Sequence, residues 1–321
     1  MKDINSATDN ESWFEIPTGP TGVRPSNPVA GQMRYDTTRS ALEYYNPSVT
    51  GWRGVTNSAA DVAYVTATGG DSITTDGDYK VHTFLSSANF IVSDAGSAEG
   101  SSTVEILLVA GGGSGGGSSF TGGSSSERGG GGGAGGYRTF SAFAVSASTY
   151  AMVIGAGASS NSDGTNSTGF GYTSTGGGAG AYHALGSWPA TFVGRTGGSG
   201  GGGTRSGNYA SEGAGGAGNA GSFSPAEGYA GGASTALNYG GGGGGSSGVG
   251  TSDVSGTGGG GAGTANSING SSVTYAAGGA VATATAGTAN SGNGGASNTA
   301  NTAGYINGGS GIVIIRYKFQ N

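Results

Sequence analysis

Between Gly111 and Gly311 the chain repeats short glycine runs separated by polar inserts carrying scattered aromatic residues, and most of its 76 glycines follow Ala110. The runs fall at 111–117, 129–136, 176–180, 197–203, 213–221, 240–245, 256–263 and 308–311, with shorter ones at 231–232, 278–279 and 292–295. They cannot be α-helices, because glycine costs about 1 kcal/mol per residue there relative to alanine. As strands they would have no side chains to pack. Collagen is excluded by the missing period of three and the scarcity of proline. What remains for ordered glycine is the polyproline II conformation, with three residues per turn and every N–H and C=O pointing outward. Polyglycine II helices laid side by side can hydrogen-bond to one another, and the missing Cβ lets their backbones approach closely.

Glycine- and serine-rich sequence is ordinarily a flexible linker. Three features argue for order here. Tyr137, Phe140, Phe170, Tyr182, Trp188, Phe192, Tyr209, Tyr229, Tyr239 and Tyr275 stand between the runs, where a linker has no use for them. Charged residues and prolines, the usual marks of disorder, are sparse in the tract. Two apolar segments, Val104–Val109 before the tract and Ile312–Tyr317 after it, read as strands that pair and close it into a unit.

The rest of the composition excludes several classes. There is no cysteine, so disulfides and thiolate metal sites are ruled out. A net charge of -6 with no cluster of lysine or arginine argues against nucleic acid as a partner. No apolar stretch is long enough to insert in a membrane, and no signal-peptide core follows Lys2.

Residues 1–22 are polar and turn-rich and are expected to form an extended attachment segment. From Val23 to about residue 60 a small β-meander is expected, with Met33–Asp36, Leu42–Tyr45 and Trp52–Val55 as strands. So few strands need a further surface to cover them, which self-association as a homotrimer would supply. Arg24-Pro25, Gly31 to Tyr35, Leu42-Glu43-Tyr44 and Gly51-Trp52-Arg53 together resemble a module that recurs in bacteriophage tail-fibre and tailspike proteins. Residues 61–110, 137–154 and 311–321 read as a small antiparallel β-sandwich, with strands at Val62–Thr66, Asp78–Phe84, Phe90–Val92, Val104–Val109, Phe140–Val145, Tyr150–Ile154 and Ile312–Tyr317. On it residues 111–310 would form a polyglycine II bundle, giving an all-β chain overall. The sandwich segments, the glycine runs and the closing Gly308-Gly309-Ser310-Gly311-Ile312 resemble the glycine-rich domain of phage tail fibres, including those of marine and cyanobacterial phages. The design is similar to that of the tip adhesins of T-even-type phages, where stacked polyglycine helices carry receptor-binding loops.

Motifs for chemistry are few. Val104–Val109 followed by Gly111-x-Gly113-x-x-Gly116 has the form of a dinucleotide fingerprint, but the helix that must follow to hold a pyrophosphate is missing. No glycine run ends in Lys-Ser or Lys-Thr, so there is no P-loop. His82 sits in an expected strand as a structural residue, and neither it nor His183 has partners spaced for zinc. Glu127, Asp163, Glu212, Glu227 and Asp253 are the carboxylates available for glycan cleavage. They read as solvated loop charges, and Asn161 to Asn166 reads as a turn rather than a calcium loop.

Function is therefore expected in the inserts, since loops on a rigid scaffold commonly carry recognition. Their Tyr, Asn, Ser and occasional Arg suit glycan or protein surfaces, as in antibody loops. The candidate receptor-binding residues are Tyr182, His183, Trp188, Phe192, Arg195, Arg205, Tyr209 and Tyr239. If runs alternate in direction, inserts 118–128, 158–175, 204–212, 233–239, 264–277 and 296–307 share the end far from the sandwich, and the Trp188 insert lies near it. The resemblance implies a non-enzymatic adhesin in a virion tail fibre, with no cofactor or metal. It would be joined to another virion protein through residues 1–60 and would bind a host surface receptor. The alternatives are a non-binding head, neck or tail fibre spacer and a tailspike depolymerase, the latter disfavoured by the lack of a long parallel repeat and of paired carboxylates.

Overall fold

The strands that bracket the glycine tract lie next to each other. In the computed structural model, which describes residues 16–47, 51–55, 63–98, 100–117, 128–182, 192–205, 213–235, 239–253, 258–299 and 304–320, the chain is all-β and divides at Val62 into two units.

The first unit is a four-stranded sheet. β1 (Thr18–Gly19) runs parallel to β2 (Met33–Asp36), which pairs antiparallel with β3 (Ala41–Asn46), itself paired with β4 (Gly51–Gly54). The expected meander is present, but its buried face is ionic. Arg34, Asp36 and Glu43 are at most 4 % exposed, whereas Met33 and Tyr35 on the alternate face are exposed. Arg24 donates from Nη2 to Glu43 Oε2 at 2.6 Å and from Nε to Oε1 at 3.0 Å, and Arg34 Nε lies 3.4 Å from the same carboxylate. Asp36 accepts from the Thr21 hydroxyl at 2.6 Å and from the Thr38 and Arg39 amides. The Thr21 hydrogen bond, helped by those amides and by Arg24, holds the Asp36 carboxyl below the usual range against the opposing effect of burial.

The second unit begins with β5 (Val65–Thr68), β6 (Ser72–Asp76), β7 (Tyr79–Phe84), β8 (Ala88–Ala95) and β9 (Thr103–Val109). After the first two glycine runs come β10 (Tyr137–Ala144) and β11 (Thr149–Met152), then the hairpins β12 (Ser167–Gly169) with β13 (Tyr172–Ser174) and β14 (Thr264–Asn266) with β15 (Val273–Tyr275), and last β16 (Ile312–Lys318). A five-stranded sheet, β10-β9-β16-β7-β6, packs on a three-stranded sheet, β11-β8-β5. Val109 sits opposite Ile312 across the β9–β16 pair, so the tract leaves and re-enters the sheet at adjacent positions.

Alternation sends Ile106, Leu108, Val313, Ile315 and Tyr317 to the inner face, where Val65, Phe84, Phe90, Val92 and Met152 meet them. Leu107, Val109, Ile312 and Ile314 face the other way and are covered by Ile268, Val273 and Tyr275 of the β14–β15 hairpin, and by Ala134. β6 has no apolar alternation and is mostly exposed, which is why its sequence does not read as a strand. His82 is fully buried in the inner core, beside Phe90 and stacked on Tyr317. Its Nδ1 donates to the Gly69 carbonyl at 2.7 Å, and its Nε2 lies 3.0 Å from the Tyr317 hydroxyl.

The glycine runs stand on this sandwich and are tied together by backbone hydrogen bonds. The run 129–136 lies at their centre. Gly131, Gly132 and Gly133 donate to three different runs, at Gly241, Gly295 and Gly178, and Ala134, Gly135 and Gly136 repeat the cycle at Gly244, Gly292 and Thr175. The same run accepts from three others, through the amides of Gly113, Ser199 and Gly279. Gly131 to Gly133, with Gly202 also donating to Gly131, thus meet six neighbouring runs, an arrangement no pleated sheet can make. Neighbouring carbonyl oxygens occupy the space side chains would need: a Cβ on Gly132 would lie 2.3 Å from Gly113 O, and one on Gly133 2.2 Å from Ser199 O.

The register of these bonds gives each run a direction. Runs 110–117, 155–158, 175–182, 199–203, 228–234, 250–253, 277–281 and 293–298 lead away from the sandwich. Runs 129–136, 162–165, 194–198, 213–218, 240–245, 258–262, 285–288 and 305–311 return to it, in strict alternation. Several are poor in glycine. At the rim, buried glycines recur every third residue, at Gly194 and Gly197 or Gly213 and Gly216, while Arg195, Thr196, Ala214 and Ala217 face outward.

Close backbone contact makes glycine substitutions unequal. Gly132→Ala should lower the urea midpoint severely, by more than the 1–3 kcal/mol usual for overpacking, because every atom in the way is backbone. Gly259→Ala, where the nearest atom is the Thr251 hydroxyl oxygen at 3.3 Å, should lower it far less; equal losses would refute the close-contact account. A second expectation concerns pH. Burial pushes the His82 pKa below the ordinary imidazole value, against the pull of the Gly69 carbonyl, so the ring is neutral when folded. This stability is present above the unfolded value of about 6.5 and is lost as pH falls from there through the depressed folded value. The midpoint should begin to drop as pH falls below about 6.5, and His82→Gln should flatten that drop. An unchanged slope in the variant would remove His82 as the cause.

Candidate functional site

At the sandwich end of the bundle the connections between runs are folded down and used as structure. The β12–β13 hairpin stacks Tyr172 on Phe140 with 3.8 Å between ring centroids and sets Phe170 against Phe90 at 5.9 Å. The 219–227 loop is pinned by Glu227, whose carboxylate is fully buried and accepts from the Thr175 amide at 2.9 Å. The Asn219 side-chain oxygen accepts in turn from the Phe223 and Glu227 amides at 3.1 and 3.3 Å.

The opposite end is built from the first and last residues of the runs. Thr204 Oγ1 donates to Arg128 O at 2.5 Å and lies 3.2 Å from Tyr239 O, while the Ser234 hydroxyl donates to Tyr239 O at 2.6 Å. The Arg128 guanidinium lies over the Tyr239 ring, 5.5 Å from its centroid, and Arg205 Nη1 donates to the Thr235 carbonyl. A second group stands on another part of the same end. Tyr182 and Tyr305 lie ring to ring at 4.8 Å, and Arg195 pairs with Asp163 at 3.8 Å, both half exposed. Burial raises the Tyr305 hydroxyl pKa and the neighbouring Tyr182 adds to the rise, while Arg195 opposes it. The end therefore offers aromatic rings beside guanidinium groups, fixed in place by backbone carbonyls.

Of the residues expected to contact a receptor, Tyr182, Arg195, Arg205 and Tyr239 are all at this end. Phe192 is there too, but at 2 % exposure its ring is packing, not contact surface. His183, Trp188 and Tyr209 lie outside the described residues. Arg128, Asp163 and Tyr305 join the group without being among those expected; the signal that marks them is position, at the first or last residues of a run.

The assignment of inserts to the two ends needs correction. The 264–277 insert is the β14–β15 hairpin against the sheet, whereas Tyr182 and Phe192, which flank the Trp188 insert, are at the far end. The 158–175 insert holds a far-end turn, the return run 162–165 and the β12–β13 hairpin. Runs recognised by glycine alone omit 155–158, 162–165, 194–198, 250–253 and 285–288, and each omission reverses the count.

The carboxylates also differ from expectation. Glu227 and Asp253 are buried rather than solvated; Glu127 and Glu212 lie outside the described residues. In the Asn161–Asn166 turn, Asp163 Oδ1 accepts from the Ala179 amide and Asn166 Oδ1 from the Gly176 amide, which ties both side chains to the bundle. Among the described residues no three His, Cys, Asp or Glu side chains come together as a metal site. The fingerprint-like stretch after β9 spends the amides of Gly112, Gly113, Gly115 and Gly116 on neighbouring runs, leaving none of these four to cradle a phosphate.

Fold and bundle together define an all-β protein whose larger part is a glycine-rich unit. A family model described as a glycine-rich domain matches residues 86–318, and the chain belongs to that family. No curated protein matches it in sequence.

Proposed function

We propose that the chain is a phage virion fibre protein, a non-enzymatic adhesin that recognises a host surface glycan or outer-membrane protein with the bundle end opposite the sandwich. The runs are polyglycine II helices, as the repeat of hydrogen-bond partners every three residues suggests. The observation that carries the reading is the contrast between the two ends. Sandwich-end connections are consumed by packing, while the far end gathers Arg128, Tyr182, Arg195, Arg205, Tyr239 and Tyr305 on a backbone-fixed platform, and rings beside guanidinium groups suit a glycan or a protein surface. Residues 1–60 attach to another virion protein. The exposed Met33, Tyr35 and Val55 favour self-association there, as a homotrimer.

The test uses the full chain on a panel of bacterial strains that differ in surface polysaccharide. Saturable binding to the strains a phage bearing this protein infects, with competition against its adsorption, is expected. Combined Tyr182→Ala and Tyr239→Ala substitution should weaken binding at least tenfold without lowering the unfolding midpoint. A folded sample that binds none of those strains would leave a stiff fibre spacer, and release of oligosaccharide would point to a depolymerase. Sedimentation of the same sample should give a trimer; a monomer at micromolar concentration would refute that part.

A further inference from the structure

We propose a second ligand site, for a single acidic sugar, at the sandwich end beside Arg138. A cavity of about 360 Å3 lies along the edge of β10 and is lined by Tyr137 to Phe140, the 224–226 loop, Ser246 and Thr264. That is the lower end of the size range of small-molecule sites, enough for one ring and not for a chain of them.

Arg138 is the organising group. Its guanidinium lies 3.8 Å from the Phe223 ring centroid and 4.9 Å from that of Phe140, and Nη1 donates to Thr173 O at 2.7 Å. Stacking and that bond fix the plane of the fork in advance, which lowers the cost of using its other donors. No carboxylate among the described residues forms an ion pair with it. Glu227, which follows the lining loop, is buried and takes its hydrogen bonds from the Thr175 and Gly221 amides and the Ser174 hydroxyl. A guanidinium held flat on aromatic rings and lacking an anion suits a carboxylate, which it can bind through two parallel hydrogen bonds.

The rest of the lining suits the ring that carries the carboxylate. Pro225, Ala226 and Phe140 offer apolar surface to the C–H face of a sugar. Ser224, Thr139 and the Ser246–Thr264 pair, whose hydroxyls are 2.8 Å apart, offer partners for its hydroxyl groups. A uronic acid meets all of these conditions. A neutral hexose leaves the guanidinium unpaired, and a simple carboxylate leaves the hydroxyls unused.

Isothermal titration of the full chain with D-glucuronate, D-glucose and acetate tests this. Glucuronate should bind saturably and at least tenfold more tightly than either control. Arg138→Gln should weaken it at least tenfold and Arg138→Lys by less. Ala226→Trp, which fills the cavity from an exposed position and leaves Arg138 in place, should also abolish binding, and it decides the matter if Arg138→Gln fails to fold by circular dichroism. Absence of saturable binding, equal binding of glucose or acetate, or unchanged binding in Ala226→Trp would overturn the site. None of these results bears on the bundle-end reading, which is measured on cells with substitutions at Tyr182 and Tyr239.

Discussion

Carbonyl oxygens standing where side chains would begin are the constraint on which this structure depends. A Cβ on Gly200 would meet Gly216 O at 1.9 Å, and one on Gly242 would meet Gly259 O at the same distance. At that spacing each run is held by amide hydrogen bonds and by Cα–H···O contacts, individually worth about 1 kcal/mol or less. Ordering a residue of backbone costs about as much as such contacts return. The apolar sandwich therefore supplies the margin, and the adjacent positions of Val109 and Ile312 couple the two parts. Loosening the sheet at that point frees both ends of the glycine tract.

Some of this is readable in the sequence. Val104–Val109 and Ile312–Tyr317 announce themselves by β-branched, apolar composition, and the long glycine runs announce the bundle by excluding everything else. The rim runs are not recognisable by glycine count, because an outer run meets neighbours on one side only. Gly194 and Gly197 must be bare where they face inward, while Arg195 and Thr196 have solvent before them. The readable signal there is a glycine every third residue. The site is legible in part for the same reason. Tyr182, Arg195, Arg205 and Tyr239 stand out as rare large residues, but Arg128 and Tyr305 acquire meaning only when the alternation of runs brings their ends together.

Alternation in the first unit fixes two faces without saying which is inside. Apolar Met33 and Tyr35 would ordinarily be buried, and they are not. Arg24 reaches across to Glu43 and Asp36, so the face that carries those carboxylates can be closed because its charges are paired and hydrogen-bonded. No spacing rule foretells that contact, since Arg24 lies outside the strands. Hydrogen bonding likewise hides Glu227 in the second unit, where the Thr175 and Gly221 amides and the Ser174 hydroxyl reach a loop carboxylate that looks solvated until its surroundings are known.

Among the described residues the sheets of the second unit lie at one end of the bundle, and they constrain the connections made there. A connection at the sandwich end must satisfy a neighbour: Phe170 fills space beside Phe90, Tyr275 covers Leu107 and Ile314, and Glu227 bonds the Thr175 amide. Among the described residues of the far end, the Thr204 and Ser234 hydroxyls meet the Tyr239 carbonyl and so tie together three runs where the chain enters or leaves them. The runs bury small residues among their glycines, Ala134, Ser114 and Ser199, and large hydrogen-bonding residues stand at the ends of runs, where Tyr182 packs on Tyr305 and Arg195 pairs with Asp163.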